Sequence, residues 1–507
     1  MAIVGTLLKN TTKVGYTYGV KKKINNPEQS KVLKELLTKA KKTKFGSDYN
    51  FSDLLQEQNI CDAFRLQVPI FTYESFYEPY IKPQLQGEKN IAWPNKIYHF
   101  ALSSGTTNDT SKRIPVSDHM IRQFQKTTLE QILQLHELNL SSKFYQSAVL
   151  TIGGSTKLKE VNNYFEGDLS GILQKNKSFL YRLFSKPGNK IAQLNDWNTK
   201  LEEIVKNAKK WDIGVIAGAP SWVLILLERI VKTYDLKSIH DIWPNFRIFL
   251  HGGVFLDTYK EKIEALCDQK LYFKNTFLAS EGYFAYQKKP EDSGMSLLTN
   301  HGIYYEFIED NYFDLINAGE DISSIPTCLL NEVKEHKNYG LVISTSSGLW
   351  RYFIGDVIKF TNLEKLQLEI VGRVKHTLNL VGEHLSLESM NKAVQQTNAR
   401  FGISAEEYCV LPAKKRDRHN WYIGTNQMVD HQMYSVFLNQ ALEELNDDYK
   451  YVRKYLLKAP RVKLLPIQKF YDYMDSKGKL GGQHKFPRVL SKDQAIEWEA
   501  FLNSFDW

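Results

Sequence analysis

The chain has 507 residues, 42% apolar and 24% charged, which is the balance of soluble globular proteins and enough length for two or three domains. Its net charge of +9 is dispersed except for short clusters at Lys21–Lys23, Lys39–Lys44 and Lys414–Arg416, which read as solvated faces and not as a nucleic-acid track. Four scattered cysteines, Cys61, Cys267, Cys328 and Cys409, have no CxxC pairing and no histidine at ligand spacing; they argue against zinc and against a disulfide framework.

No run approaches the ~20 apolar residues of a membrane span, and the first residues lack a signal-peptide pattern. These features predict a cytoplasmic protein with no membrane and no nucleic-acid partner. Oligomeric state is open, with a monomer expected.

In chain order, residues 1–60 read as helical and basic. The apolar positions of Ser30–Ala40 recur at helical spacing, and Gly46 is placed to stop the run. Residues 61–102, with prolines at 69, 79, 83 and 94, read as turns and short extended pieces, ending in the apolar run Ile97–Leu102. A hydroxyl-rich loop follows, from Ser103 to Pro115. Asp118–Leu140 then fits an amphipathic helix capped by Ser117 or Asp118.

From 143 to 260, strand-like and helix-like segments alternate, the pattern of an α/β sheet. Ala148–Ile152, Ile213–Ala217 and Arg247–Leu250 are the candidate strands, and Trp222–Val231 is an apolar helix. The first strand ends at Gly153-Gly154 and the third at His251-Gly252-Gly253, and strand ends followed by glycine are where open α/β sheets bind ligands. Residues 270–360 are richer in strand, with candidates at Lys270–Leu278, Gly302–Ile308, Gly340–Thr345 and Arg351–Lys359. Beyond Ile370–Asn379 the texture changes to a helix over 386–399, strands near 408–411 and 420–425, and a helix over Asp430–Leu445. This tail of about 130 residues has the size of a small second domain.

Several positions carry possible chemistry, each with a plainer reading beside it. In Ser103-Ser104-Gly105-Thr106-Thr107, hydroxyls cluster around an unrestricted glycine. Lys112 adds a charge and Pro115 ends the loop, so the stretch suits either a phosphate cradle or a solvated turn. It is not a Walker loop, because G-x-x-x-x-G-K-[ST] is absent. Glu281, in Ser280-Glu281-Gly282, suits Mg²⁺ or a turn cap. Asp356, after Gly355, suits two ribose hydroxyls or a hairpin. Lys485, in Gly481-Gly482-Gln483-His484-Lys485-Phe486-Pro487-Arg488, is either a working cation or a solvated loop lysine.

The order of these elements resembles the acyl-adenylate-forming superfamily of luciferase-like ligases. Within it, the sequence is most similar to the auxin-responsive-promoter family of acyl acid–amido synthetases. Ser103–Pro115 follows S-S-G-T-[ST]-x-G-x-x-K-x-x-P except at Asp109, where a second glycine is usual. Phe277-Leu278-Ala279-Ser280-Glu281 resembles Y-[AG]-S-S-E. Leu349–Asp356 resembles L-Y-R-Y-R-L-G-D with Phe353 replacing an arginine, and Gln483–Arg488 resembles Q-Y-K-T-P-R.

The resemblance implies a mixed α/β fold: a large N-terminal adenylate-forming domain of β-sheets flanked by helices, 1–375, and a small mobile C-terminal α+β lid domain, 376–507. It also implies an ATP- and Mg²⁺-dependent ligase that activates a carboxylic acid as acyl-AMP, releases pyrophosphate and passes the acyl group to an amino acid or other amine. Ser103, Ser104, Gly105, Thr106, Thr107 and Lys112 are then implied at the ATP phosphates, with Gly253, Val254 and Phe277 at the adenine. Ser280 belongs to the nucleotide site, Glu281 ligates Mg²⁺ and Asp356 binds the ribose. Arg373 and Lys375 reach the ribose or α-phosphate, His376 lies at the domain hinge, and Lys485 serves acid activation. The absence of a convincing nucleophilic triad agrees with this chemistry.

Two alternatives remain: an acyl-CoA synthetase using the same adenylate, and a nucleotide-binding homologue without turnover. For the acid substrate, Ala217–Leu227 and Tyr164-Phe165 either line a pocket or pack the core.

Overall fold

The computed structural model describes residues 2–20, 29–103, 112–177, 179–252, 256–374, 383, 385, 387–413, 417–480, 485–490 and 492–504. By its internal contacts the chain divides into two compact units. The first takes in most of the chain up to Ile370, and the second runs from Val371 onward and includes Asp257–Tyr259.

In the first unit, a small sheet is formed by β1 (His99–Ser103), β2 (Lys112–Val116), β4 (Lys159–Val161) and β5 (Tyr164–Gly167), in the order β2-β1-β5-β4. An eleven-stranded sheet holds β3 (Ala148–Thr151), β6 (Ser185–Lys186), β7 (Ile213–Ala217), β8 (Ile248–Gly252) and β9 (Tyr272–Ala279) on one side. On the other side lie β10 (Gly282–Tyr286), β11 (Met295–Leu297), β12 (Ile303–Glu309), β13 (Asn338–Thr345), β14 (Tyr352–Asn362) and β15 (Gln367–Arg373). The run β6-β3-β7-β8-β9 is parallel, and the chain reverses into an antiparallel half at β9–β10. The parallel strands are short apolar runs such as Ile213–Ala217, as expected where both faces are covered. One covering element is the helix Pro220–Tyr234, which buries Trp222, Val223, Leu224, Leu226, Leu227 and Ile230.

The N-terminal region is helical, with α1 (Ala2–Gly15) and α2 (Gln29–Ala40). Helix α2 buries Val32, Leu33, Leu36, Leu37 and Ala40, which fall on one face at helical spacing. It joins a core in which Phe45 stacks on Trp350 at 5.7 Å.

The second unit is a three-layer sandwich. Its sheet is β16 (Glu407–Pro412), β17 (His419–Gly424) and β18 (Arg461–Leu465), in that order. Side chains alternate across it. Tyr408, Val410, Trp421 and Ile423 pack one core with helices Leu387–Phe401 and His431–Leu445. Cys409, Leu411 and Tyr422 face the other, with Phe470 and Trp498 from helices Gln468–Ser476 and Lys492–Asn503. The thiol of Cys409 is fully buried and that of Cys61, in the first unit, nearly so; burial pushes both thiols up in pKa.

Several local expectations are corrected. Part of the proline-rich stretch is helical: Pro83 occupies the first turn of Lys82–Leu85, where a missing N–H is tolerated, and Pro79 lies in the π-helical turn Tyr77–Ile81, while Pro69 and Pro94 lie outside helices as expected. Helix α2 stops at Ala40, before Gly46. Gly46 instead sits within the Thr43-capped helix Lys44–Asp48, where a Cβ would meet the Ala40 carbonyl oxygen. Pro115 does not end the loop. It lies inside β2, an edge strand, where its lack of a donor is harmless. The helix capped by Ser117 closes at Gln134 and tightens into a 3₁₀ turn over Leu135–Leu138. Of the two readings of Tyr164 and the apolar helix, packing is the one seen for Tyr164, Trp222, Val223, Leu224, Leu226 and Leu227, which are buried, with Tyr164 edge-on to Phe100 at 5.0 Å.

Candidate active site

The Ser/Thr loop is carried by a hairpin. β1 and β2 pair antiparallel, and Ser103 stands opposite Lys112 at the loop's mouth. The described residues on both sides of the loop are strands, whereas a Walker loop leads directly into a helix. Ser104, Gly105, Thr106, Thr107 and Asp109 lie outside the described residues.

The mouth is held by side chains that the sequence reading did not single out. Lys112 Nζ lies 3.6 Å from Glu74 and 5.0 Å from the centre of the Tyr73 ring. The Tyr73 hydroxyl accepts the Arg113 backbone N–H at 2.9 Å. Arg113 Nε donates to the buried Glu166 at 2.8 Å, and Lys159 reaches the same carboxylate at 3.4 Å. Tyr73 and Glu74 sit on a short helix fixed by a capping box between Thr72 and Ser75. A signal was available for this last feature: Thr72-x-x-Ser75 has the spacing of a cap.

Ser280 and Glu281 form the two-residue turn joining β9 to β10, with Ala279 paired to Gly282. Both side chains are buried. The turn stands at the carboxyl end of the last parallel strand, on the edge where open α/β sheets take ligands. Phe277 is buried with its ring edge-to-face on Phe284 at 4.9 Å, so core packing already covers most of it.

Neighbouring strand ends are equally tight. Lys200 Nζ donates to the Gly153 carbonyl at 3.2 Å, and a Cβ on Gly154 would run into Asp168. At the end of β8, Thr276 Oγ1 donates to the His251 carbonyl at 2.9 Å. Burial alone lowers the His251 imidazole pKa to about 4, so it stays neutral at physiological pH. Gly253 and Val254 lie outside the described residues.

Asp356 owes its position to a β-bulge. Gly340 pairs with Val357 and Val342 with Phe353, so Ile354, Gly355 and Asp356 stand opposite the single residue Leu341. Gly355 takes φ of +82°, a left-handed value that a side chain would strain. The bulge turns Asp356 out of the regular alternation, leaving it half-buried. Phe353, where the family pattern has an arginine, is buried over Gly340.

Just upstream, Arg351 is buried and donates from Nε to both Glu306 oxygens, at 3.1 and 3.0 Å, and from Nη2 to Oε1 at 2.8 Å. Thr327 Oγ1 donates to the same carboxylate at 2.7 Å, and Arg351 Nη1 donates to the Arg65 carbonyl at 2.7 Å and to that of Val68. Trp350 Nε1 donates to the Ala92 carbonyl at 2.9 Å. These two residues tie the segment from Arg65 to Ala92 to the strand bearing Asp356.

The division between the units falls within β15, after Ile370; Arg373, at the end of that strand, is half-buried, and Lys375 and His376 lie outside the described residues. Lys485 is exposed, while the residues after it are pinned. Phe486 packs on Phe470 and Trp498, and Arg488 donates to Glu407 at 2.7 Å and to the Tyr408 and Glu406 carbonyls at 3.0 Å each.

Among the described residues no group of three or more metal-ligating side chains exists. A single buried carboxylate on a rigid turn still fits Mg²⁺, which commonly takes one or two protein carboxylates and fills its sphere with phosphate oxygens and water. Glu281 meets that requirement.

Models of three parts of one family match in order: the GH3 family N-terminal domain at 20–157, the central domain at 296–373 and the C-terminal domain at 388–494. Together they cover more than half of the chain, which belongs to the GH3 family. It is 22% identical to indole-3-acetic acid-amido synthetase GH3.4 of Arabidopsis thaliana, over 92% of this chain and 90% of that one. It is 21% identical to 4-substituted benzoates-glutamate ligase GH3.12 of the same plant, over 92% and 93%. Among solved structures, GH3.15 acyl acid amido synthetase superposes with a TM-score of 0.76 at 17% identity, covering 99% of this chain and 96% of that one. A 2-hydroxyisobutyryl-CoA ligase bound to an acyl-AMP shares the fold at TM-score 0.58 and 11% identity, over 99% and 92%. The mixed α/β adenylate-forming fold expected from the sequence is therefore the fold observed.

Proposed function

We propose that this protein is an ATP-dependent acyl acid–amido synthetase, a C–N ligase that forms an acyl-AMP and transfers the acyl group to an amino acid or other amine. The observation that carries the reading is its GH3 membership along the chain. The family's Ser/Thr loop, Ser-Glu turn and Gly-Asp pair are all present, the loop flanked by a strand hairpin and the other two on described backbone.

A carboxylate and an amine do not condense at neutral pH, whereas a mixed anhydride with AMP is readily attacked. The protein's task is then to orient reactants and stabilise charge developing at phosphorus. In this reading Ser103, the loop hydroxyls and Lys112 face the phosphates of ATP, and Asp356 accepts from the ribose hydroxyls. Gly253, Val254 and Phe277 belong to the adenine region, Ser280 to the nucleotide site, and Arg373 and Lys375 to the ribose or α-phosphate. Glu281 holds Mg²⁺, which when bound neutralises phosphate charge. Lys485 serves the activation half-reaction: Lys485→Ala should slow acid-dependent pyrophosphate release far more than aminolysis of preformed acyl-AMP. Equal loss in both would remove that role.

The deciding experiment incubates the protein with ATP, Mg²⁺, a panel of carboxylic acids and mixed amino acids, with coenzyme A as a competing acceptor and Glu281→Gln as control. Acid-dependent AMP and an amide product support the reading. A thioester would reassign the acceptor, and ADP would overturn the chemistry.

A further inference from the structure

Helix α1 is docked with its apolar side outward. Its inner side is made mainly of small and polar residues, with Leu8 half-buried among them: a Cβ on Gly5 would lie 2.1 Å from the Ser142 carbonyl oxygen, and one on Gly15 would lie 2.6 Å from Leu133. Lys9 Nζ donates to Asn139 at 3.3 Å, and the Tyr16 hydroxyl donates to Glu137 at 2.6 Å. The outer side presents Ile3, Val4, Leu7 and Val14, exposed by 82, 56, 64 and 57%, and continues to Tyr18 at 69%. At 3.6 residues per turn these five positions share an arc of about 100°. Such an arc normally faces a core, as it does in α2.

Charge supplies the second observation. The first 44 residues hold eleven lysines and two glutamates, a net +9, which equals the net charge of the whole chain. Everything after them balances. An apolar helical stripe within a strongly cationic segment is complementary to an anionic bilayer surface, where side chains such as Leu7 enter the acyl boundary and lysines such as Lys13 meet headgroups. Nucleic acid would use the lysines but not the aliphatic stripe, and a second copy would set one cationic segment against another.

We propose that α1 seats this protein on an anionic phospholipid surface. The sequence-based expectation of no membrane rested on the lack of a spanning run. No described helix is long and apolar enough to cross a membrane, but a helix lying in the interface needs no such length.

The full-length protein would be co-sedimented with phosphatidylcholine vesicles and with vesicles of equal parts phosphatidylcholine and phosphatidylglycerol, at low and high salt. The expected result is binding to the anionic vesicles only, weakened about tenfold or more by high salt. Leu7→Ser combined with Val14→Ser should abolish it with an unchanged melting temperature. Leu7→Cys carrying an environment-sensitive fluorophore should shift to the blue on the same vesicles, which keeps the test independent of the double variant's folding. No binding to anionic vesicles would overturn the proposal, as would unchanged binding by the double variant. DNA retention without vesicle binding would assign the charge to nucleic acid. A lipid-free dimer that the double variant dissociates would assign the stripe to a second copy.

Discussion

Arg351 and Asp356 are five residues apart in one motif, and their surroundings are opposite. Arg351 is buried with Glu306, Thr327 and two backbone carbonyls around its guanidinium, while Asp356 is half-open on a bulge. Both are charged and both belong to the same family pattern, so the sequence alone does not separate them. The structure separates them. The first half of the motif fixes where the strand runs, and the second half aims a carboxylate from it. A charged residue in a motif is thus as readily a fastener as a ligand, and what separates these two is burial: Arg351 is enclosed, whereas Asp356 is partly open to solvent.

This contrast can be broken by experiment. The largest effect is expected from Arg351→Ala, which strands Glu306 without its counter-charge. Urea unfolding should show a loss of about 3–5 kcal/mol, and the contrast fails if stability is retained and only ATP binding suffers. Asp356→Asn should do the reverse, raising KM for ATP by about tenfold or more with little change in melting temperature. Gly355→Ala tests the bulge that links the two. A side chain at φ +82° should cost about 1–2 kcal/mol, and the displaced carboxylate should raise KM as well.

A pH-dependent effect, small near neutrality, sharpens the same point at His251, which stands at a strand end like a site residue but is buried and neutral. Its folded pKa, lowered to about 4, lies below the ordinary 6.5, so between these values the unfolded chain binds a proton that the folded one does not. Stability should therefore fall as pH drops from 6.5 towards 4. His251→Phe should flatten that fall by about 1 kcal/mol per pH unit, measured by urea titrations across the window.

Much of the fold was legible because its strands are short apolar runs bounded by glycine. Ile213–Ala217 is legible to the residue, and two strands and two helices of the second unit to within a few residues, whereas β18 and the helices Asp447–Tyr455, Gln468–Ser476 and Lys492–Asn503 are not. Prolines misled. Pro79, Pro83 and Pro115 signal breaks by chemistry alone, but helix first turns, a π-helical turn and an edge strand all accommodate them. The candidate site was legible as motifs and not as geometry. That Ser280-Glu281 is a two-residue hairpin turn depends on β10, a strand whose pairing is invisible locally. The fastening role of Arg351 depends on Glu306, 45 residues away in sequence.

The four unpaired thiols form a built-in record of opening. Cys409 lies inside the second unit, while Cys61, Cys267 and Cys328 belong to the first. Alkylation followed by peptide mass mapping would therefore time the two units separately, without any introduced label. Modification of Cys409 ahead of Cys61 would mean that the smaller unit opens while the larger one still holds its core.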